Sequence, residues 1–320
     1  MKAVVCDNYK STALVELEKP KPKENGVLIK VHAASINPMD WHKFRAPLLV
    51  RLGEGLSKPK NPRMGGDLAG RVEAVGSSVT GFKPGDEVYG CCTGAFAEYV
   101  SANQIYIAPK PANLSFEQAA ALPVVALTAL QGLRDTGKIK TGQKVLINGA
   151  SGGIGTIAVQ LAKYYGAEVT GVCSTRNLEM VRSIGADHVI DYTQTDFTRT
   201  GQKYDLIYDA IGNRSVWDYR RALNANGICV IAGFTSFQRL FAHLILGAAV
   251  SRMGDRKVLF MGIAQPNQMD LLFMNNLLET GKVIPVIDQC YPLSQTEEAI
   301  RYVGKKHARG KVIIQVGSNA

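Results

Sequence analysis

The sequence predicts an α/β protein in two parts: an all-β segment that forms a barrel or sandwich, and a doubly wound parallel sheet covered by helices. Three observations carry that prediction. Residues 1 to about 115 contain short β-rich runs separated by Gly and Pro turns. From Leu114 on, strand-like runs alternate with helical segments, the pattern of βαβ units. The length, 320 residues, exceeds one ordinary small domain and fits two.

The elements follow in order. Strands are expected at Lys2–Cys6, Val27–Ser35, Asp67–Val75, Glu87–Tyr89 and Ala95–Val100. Asn25-Gly26, Gly65-Gly66, Gly76 and Gly81-Phe82-Lys83-Pro84-Gly85-Asp86 punctuate them. Lys19-Pro20-Lys21-Pro22-Lys23 reads as a loop between strands. Ser115-Phe116-Glu117-Gln118 opens a capped, Ala/Leu-rich helix. Strands at Val145–Asn148, Glu168–Cys173, His188–Asp191, Leu206–Asp209, Ile228–Ala232 and Lys257–Ile263 then build a parallel sheet. Helices at Ile154–Tyr165, Leu178–Ile184, Val216–Leu223 and Gln268–Leu278 accompany them. The tail adds a helix at Thr296–Lys305 and a strand at Val312–Val316.

Composition excludes several classes. Hydrophobic residues make up 46% and charged residues 20%, which rules out a disordered or fibrous chain. The longest apolar stretch, Leu240 to Val250, falls short of the roughly 20 residues that span a bilayer. The N-terminal run Ala3-Val4-Val5-Cys6 is too short for a signal-peptide core, so the chain is expected to be cytoplasmic. The formal charge is +10, but the basic residues are dispersed and lack interleaved aromatics, so nucleic-acid binding is not expected. The six cysteines contain no Cys-x-x-Cys pair and read as reduced thiols, mostly in the core.

The most informative motif is a glycine-rich turn. Lys144-Val145-Leu146-Ile147-Asn148 leads into Gly149-Ala150-Ser151-Gly152-Gly153-Ile154-Gly155, and an apolar helix face follows with Ile157, Ala158, Leu161, Ala162 and Tyr165. The turn follows a strand, opens a helix and precedes a second strand, the context a dinucleotide site requires. One glycine allows the tight turn, one lets the backbone approach a pyrophosphate, and one lets helix and strand pack closely. The anion then meets free N–H groups at the positive end of a helix dipole. The second strand ends Val172-Cys173-Ser174-Thr175-Arg176-Asn177, without the acidic residue that holds the ribose hydroxyls in NAD binders. Arg176 with Ser174 can grip a 2′-phosphate instead, so NADPH is the expected cofactor. The alternative for Arg176 is an ordinary basic helix start.

Further motifs carry a resemblance. They are Ser35-Ile36-Asn37-Pro38-Met39-Asp40, Gly66-Asp67-Leu68-Ala69-Gly70 through Gly76, Gly85-Asp86-Glu87-Val88 and Gly94-Ala95-Phe96-Ala97-Glu98-Tyr99. Ala121-Leu122-Pro123 through Leu127-Thr128-Ala129, the glycine turn, Ser183 through Tyr192, and Gly310-Lys311-Val312 continue the series. Over essentially its whole length the chain resembles the medium-chain dehydrogenase/reductase superfamily, in its zinc-independent quinone oxidoreductase branch. Within that branch it is similar to chloroplast-envelope quinone oxidoreductase homologues and NADPH-dependent alkenal reductases. The resemblance implies a GroES-like, partly open β-barrel catalytic domain from residues 1–118 and 285–320. It also implies a Rossmann NADP-binding domain over residues 119–284, an active site in the cleft between them, and a homodimer.

The resemblance also assigns residues. Zinc-dependent relatives carry Cys where this chain has Asn37, His-Glu where it has Gly66-Asp67, and a four-cysteine lobe after the position of Gly90. Adjacent Cys91 and Cys92 cannot reproduce that lobe, so no zinc is expected. Without a metal, hydrogen-bond donors must stabilise the negative charge that hydride transfer leaves on an enone or quinone oxygen. By family position Asn37 is the first candidate. His42 is the second, as a proton relay, or else a surface histidine. Thr128 resembles the threonine beside the nicotinamide, or else is a buried helix hydroxyl. Tyr192 resembles a tyrosine near the adenosine phosphate, or else packs. Gly233, Phe260, Met261 and Gly262 resemble backbone that lines the nicotinamide. Asp40 orients its neighbours or caps a helix.

Two departures bear on the substrate: the long loop Arg45 to Arg63, which contains Gly53, Gly55, Pro59 and Pro62, and the short segment Tyr89 to Gly94. No Tyr lies between Asn37 and Val88, which disfavours enoyl-thioester chemistry. The expected activity is NADPH-dependent reduction of small quinones or α,β-unsaturated carbonyls. The alternative is a non-catalytic NADPH-binding structural or regulatory relative.

Overall fold

Alternating apolar residues build the N-terminal strands, and the computed structural model describes residues 1–46, 51–52 and 55–317. Gly53, and with it part of the Arg45–Arg63 loop, lies outside the described residues. The chain divides into two compact units, residues 1–124, 266–280 and 285–320 in the first and 125–265 and 281–284 in the second. The sequence resemblance implies that residues 266–280 go with the dinucleotide half. In the structure that segment belongs to the first unit.

In the first unit, β1 (Lys2–Cys6) and β2 (Thr12–Glu16) form an antiparallel pair. Bridges Ala3↔Ala97 and Val5↔Arg63 tie it to the rest. β3 (Gly26–Ser35), β4 (Asp67–Val75), β5 (Glu87–Cys91), β6 (Tyr99–Asn103) and β7 (Ile107–Pro109) are joined by two tail strands, β14 (Ile287–Pro292) and β15 (Lys311–Gln315). Their order is β14-β15-β3-β4-β5-β7, with β6 also on β3. The expected strand Ala95–Val100 is displaced to Tyr99–Asn103, because Ala95 and Phe96 bond back to Gly65 and Met64 as a loop. The core includes Ile29, Phe44, Met64, Leu68, Phe96 and Ile314. Burying such side chains contributes about 1.5–3 kcal/mol each.

Two short helices in the N-terminal part frame the site residues. α1 (Pro38–Phe44) starts on Pro at its first position, where the absent N–H costs nothing. It went unassigned in the sequence because its seven residues carry no long apolar period. α2 (Phe116–Ala120) has the expected capping box on Ser115 and Gln118. The Ala/Leu-rich run does not continue as one helix, since Pro123 starts a separate α3 (Pro123–Gln131). The helix Gln268–Glu279, numbered α8 in chain order, anchors to the strands through the Tyr89 hydroxyl, which donates to Asn275 Oδ1 at 2.6 Å.

The second unit holds six parallel strands. They are β8 (Lys144–Asn148), β9 (Glu168–Cys173), β10 (His188–Asp191), β11 (Tyr204–Asp209), β12 (Leu223–Ile231) and β13 (Lys257–Phe260). Their order is β10-β9-β8-β11-β12-β13. Counted from β8 this is 3-2-1-4-5-6, the doubly wound order that binds dinucleotides where the strand order reverses. The helices are α4 (Gly153–Tyr164), α5 (Leu178–Ser183), α6 (Val216–Ala222) and α7 (Phe237–Arg252). α7 covers the apolar stretch at Leu240–Val250. The tail helix α9 (Thr296–Gly304) returns to the first unit. Among the described residues, no helix is long and apolar enough to cross a membrane.

Candidate functional site

Sheet order places the first cluster. β15, β3 and β4 are neighbours, with Ser35 opposite Asp67 and Ile36 N–H bonded to Val312 O at 2.9 Å. The start of β15, the end of β3 and the start of β4 therefore meet, and Lys311, Asn37 and Asp67 meet with them. Asp67 is fully buried, Asn37 is 4% exposed and Lys311 5% exposed. Asn37 Nδ2 donates to Asp67 Oδ2 at 2.8 Å, as does Ser35 Oγ. Lys311 Nζ donates to Asn37 Oδ1 and Ile36 O at 2.8 Å each, and to Asp67 Oδ2 at 3.4 Å. Asp67 Oδ1 accepts from Val124 N–H at 2.9 Å. Burial pulls the Lys311 ammonium below its ordinary value, and the neighbouring carboxylates oppose that.

Asp40 fixes the backbone around Asn37. Its Oδ2 accepts from Asn37 N–H at 2.8 Å and its Oδ1 from Gly65 N–H at 3.1 Å. Burial pushes its carboxyl up to about 6, against the pull of those two N–H groups. Of the two roles open for Asp40, the structure shows both: it bonds the N-cap residue of α1 and ties that residue to the Gly65 turn. His42 lies on α1, half-buried, and burial followed by the Lys306 charge lowers its pKa, so its imidazole is neutral at pH 7. Phe44, fully buried, and Trp41 seat α1 on the barrel core.

The second cluster is the glycine turn. Gly149 sits at φ +83, a left-handed conformation that disfavours any side chain. Gly149 and Ala150 N–H both donate to Val172 O, at 3.1 and 3.0 Å. A Cβ on Gly155 would stand 2.0 Å from Gly149 O, so only glycine lets α4 start this close to the turn. A Cβ on Gly152 would meet only Gly149 O at 3.5 Å, so the backbone there is open to a ligand. The N–H groups of Gly153, Ile154 and Gly155 open α4 and have no intrahelical acceptor, which suits an anion. These features fit a dinucleotide pyrophosphate.

Around this turn the structure gathers several predicted residues and shows others the sequence did not. Asn177 Nδ2 donates to Ser151 Oγ at 3.1 Å and to Ser174 Oγ at 3.2 Å, joining the glycine turn to the end of β9. Arg176 is exposed in the short turn Thr175–Asn177. Tyr192 is 50% exposed, and its N–H donates to Cys173 O at 3.0 Å. Thr175 Oγ1 donates to Asp191 Oδ2 at 2.5 Å, and this bond leads the causes that lower the Asp191 carboxyl. An acid therefore stands beside the Arg176 turn, contributed by β10 rather than β9. A reading of one strand end could not show it.

Tyr208 joins two more predicted residues. Its hydroxyl donates to Thr128 O at 3.0 Å and lies 4.0 Å from Met261 Sδ. Thr128 itself is buried on α3. Met261 N–H donates to Ile231 O at 3.1 Å and Phe260 pairs with Ile231. Gly233 abuts Ala210 after β11, and Gly262 adopts φ +76 with open space around it. Asp209 holds the turn after β11, its Oδ1 accepting from Ile211 and Gly212 N–H at 2.7 Å each. Asn148 Nδ2 and the Tyr219 hydroxyl donate to its other oxygen.

The donor set near Asn37 does not fit a zinc ion. Asn37 offers an amide already engaged on both ends, and the Lys311 ammonium puts positive charge beside it. Among the described residues, no group of three or more His, Cys, Asp or Glu side chains could hold a metal ion.

One unit holds a doubly wound sheet with a glycine turn, and the other a mostly antiparallel sheet completed by the chain's tail, the pair of units expected of a dehydrogenase/reductase. The alcohol dehydrogenase GroES-like domain matches residues 23–112 and the zinc-binding dehydrogenase domain matches residues 184–314. A chloroplast envelope quinone oxidoreductase homolog of Arabidopsis thaliana is 35% identical, over 94% of this chain and 93% of its own. An NADPH-dependent alkenal/one oxidoreductase of Arabidopsis thaliana is also 35% identical, over 98% and 79%. The solved quinone oxidoreductase from Coxiella burnetii superposes with a TM-score of 0.84 at 31% identity, covering 99% of both chains. The chain belongs to the medium-chain dehydrogenase/reductase family and is an oxidoreductase of the quinone oxidoreductase/alkenal reductase type.

Proposed function

We propose that the protein is an NADPH-dependent reductase that adds hydride to small quinones or α,β-unsaturated carbonyls without zinc. The observation that carries this is the Asn37 amide, held so that Nδ2 is a donor where zinc-dependent relatives place a metal-binding cysteine. NADPH, when bound, supplies the hydride. Gly149, Ser151, Gly152, Gly153, Ile154 and Gly155 would hold the pyrophosphate, with the N–H groups of Gly153, Ile154 and Gly155, which have no intrahelical acceptor, facing it. Ser174, Arg176 and Tyr192 take the adenosine 2′-phosphate, Arg176 through its rigid fork of donors. Thr128, Gly233, Phe260, Met261 and Gly262 line the nicotinamide.

Asn37 Nδ2 donates to the substrate oxygen as hydride arrives at the β-carbon and electrons move onto that oxygen. One preorganised donor of this kind is worth about 10²–10³ in rate. A proton at the α-carbon, or at a quinone oxygen, completes the reduction. His42, neutral at pH 7, relays that proton from water.

The test is isotopic. Incubating the enzyme with chelator, a short enal and NADPH deuterated at the transferring position should place one deuterium on the β-carbon of the saturated product. A saturated product without deuterium at that carbon, or no turnover of either the enal or a quinone, contradicts the proposal.

A further inference from the structure

We infer that Lys311 and Asp67 are positioning residues that lock the Asn37 amide in one orientation and so make it a hydrogen-bond donor to substrate oxygen. The inference rests on the role proposed above for Asn37. It adds how that role is enforced, and it names two residues from other strands as the enforcers.

The argument is one of donor and acceptor capacity. An ammonium has three donors and no acceptor, and an ionised carboxylate only accepts. The Lys311 donors are matched to three oxygens, Asn37 Oδ1, Ile36 O and Asp67 Oδ2. Asp67 accepts from Ser35 Oγ, Asn37 Nδ2, Val124 N–H and Lys311. Turning the Asn37 amide over would set NH2 against the ammonium and a carbonyl oxygen against the carboxylate. Two attractive contacts would become two repulsive ones, in a place with almost no water to screen them. An asparagine between neutral neighbours would be held less strongly. This one is held in one orientation.

The consequence is chemical. One Nδ2 hydrogen is bonded to Asp67, and among the described residues the other meets no acceptor. The amide therefore offers a donor and no acceptor, which suits a carbonyl or quinone oxygen gaining negative charge. Lys311 and Asp67 act through Asn37 and need not touch substrate.

The test is a double-mutant cycle. Lys311→Met and Asp67→Asn are made in the natural background and in Asn37→Ala. In the natural background kcat should fall at least about tenfold, with KM changed less than about threefold. In Asn37→Ala the same substitutions should change kcat less than about twofold, while still lowering Tm in both backgrounds. Equal kcat losses in both backgrounds, or no loss in either, overturn the inference, because the pair would then act only on the fold. If Lys311→Met does not fold, the near-isosteric Asp67→Asn carries the cycle. Full turnover by Asn37→Ala overturns the amide's role and this inference with it.

A second readout needs no turnover. The side-chain amide of Asn37, assigned in a 15N spectrum by its absence from Asn37→Ala, should show one hydrogen protected from exchange. That protection should weaken in Asp67→Asn, where a neutral amide oxygen replaces the carboxylate. Equal exchange of both hydrogens in the natural protein overturns the inference. Failure of every acceptor to react would count against the proposed function, and the amide spectrum would still decide this point.

Discussion

Replacing Gly155 by alanine tests the glycine turn most sharply. The new Cβ would stand 2.0 Å from Gly149 O, 2.7 Å from Gly149 C and 2.8 Å from Ala150 Cα. All three are backbone atoms, so no side chain can rotate aside. Ordinary contact begins near 3.4 Å, so the start of α4 must move by roughly 1.4 Å relative to the turn. Overpacking of this kind costs about 1–3 kcal/mol. At about 2–4 °C per kcal/mol for a unit of this size, Tm should fall by roughly 2–12 °C. The first N–H groups of α4 move with the helix. Losing one charge-assisted bond to phosphate, about 1.5–3 kcal/mol, raises the Kd for NADPH about ten- to hundredfold. Fluorescence titration with NADPH and a thermal melt read both effects. Gly81→Ala is the control, since a Cβ there meets nothing within 4 Å and Gly81 has no positive φ. Unchanged Tm and Kd in Gly155→Ala would refute the close-approach argument. A lowered Tm with unchanged Kd would refute the turn as the dinucleotide site.

Three further outcomes are expected. Arg176→Ala should weaken NADPH binding about ten- to hundredfold and leave NADH unchanged, and equal effects on both would remove the 2′-phosphate role. His42→Phe should lower kcat and abolish an inflection below pH 6.5 in the kcat profile, the side to which burial moves the imidazole. An unchanged rate and profile would end the relay role. Asp40 titrates at about 6 when folded against 3.8 ordinarily, so the folded state binds its proton more tightly. Stability should therefore rise as pH falls from about 6 to about 4, by an amount of order 3 kcal/mol, and level off below. Asp40→Asn, less stable at baseline for want of one acceptor, should lose that slope in urea melts across pH. A slope retained in Asp40→Asn would assign it to other carboxyls.

The glycine turn was legible because its chemistry is local: strand, turn and helix lie within one stretch of chain. The alternation of strands and helices was legible for the same reason. Asp67 and Lys311 were harder. Each is a charge at the head of a short apolar run, Asp67-Leu68-Ala69 and Lys311-Val312-Ile313-Ile314. Such charges need partners, but 244 positions separate the two and only the strand order brings them together. Tyr208 and Asn177 were missed because a Tyr in a strand and an Asn in a turn have many ordinary roles. Asp191 was missed because it reaches the Arg176 turn from the adjacent strand. β2, β7 and β14 escaped notice because they are short or carry polar residues, and neighbouring strands rather than their own pattern hold them.

The most direct measurement is loss of absorbance at the reduced-nicotinamide band, with NADPH and NADH in parallel and chelator present. The acceptors are a benzoquinone, a naphthoquinone, a short enal and a simple ketone. The account predicts chelator-insensitive oxidation of NADPH, faster than of NADH, by a quinone or the enal and not by the ketone. Tight NADPH binding without turnover on any acceptor, or turnover that the chelator abolishes, would contradict it.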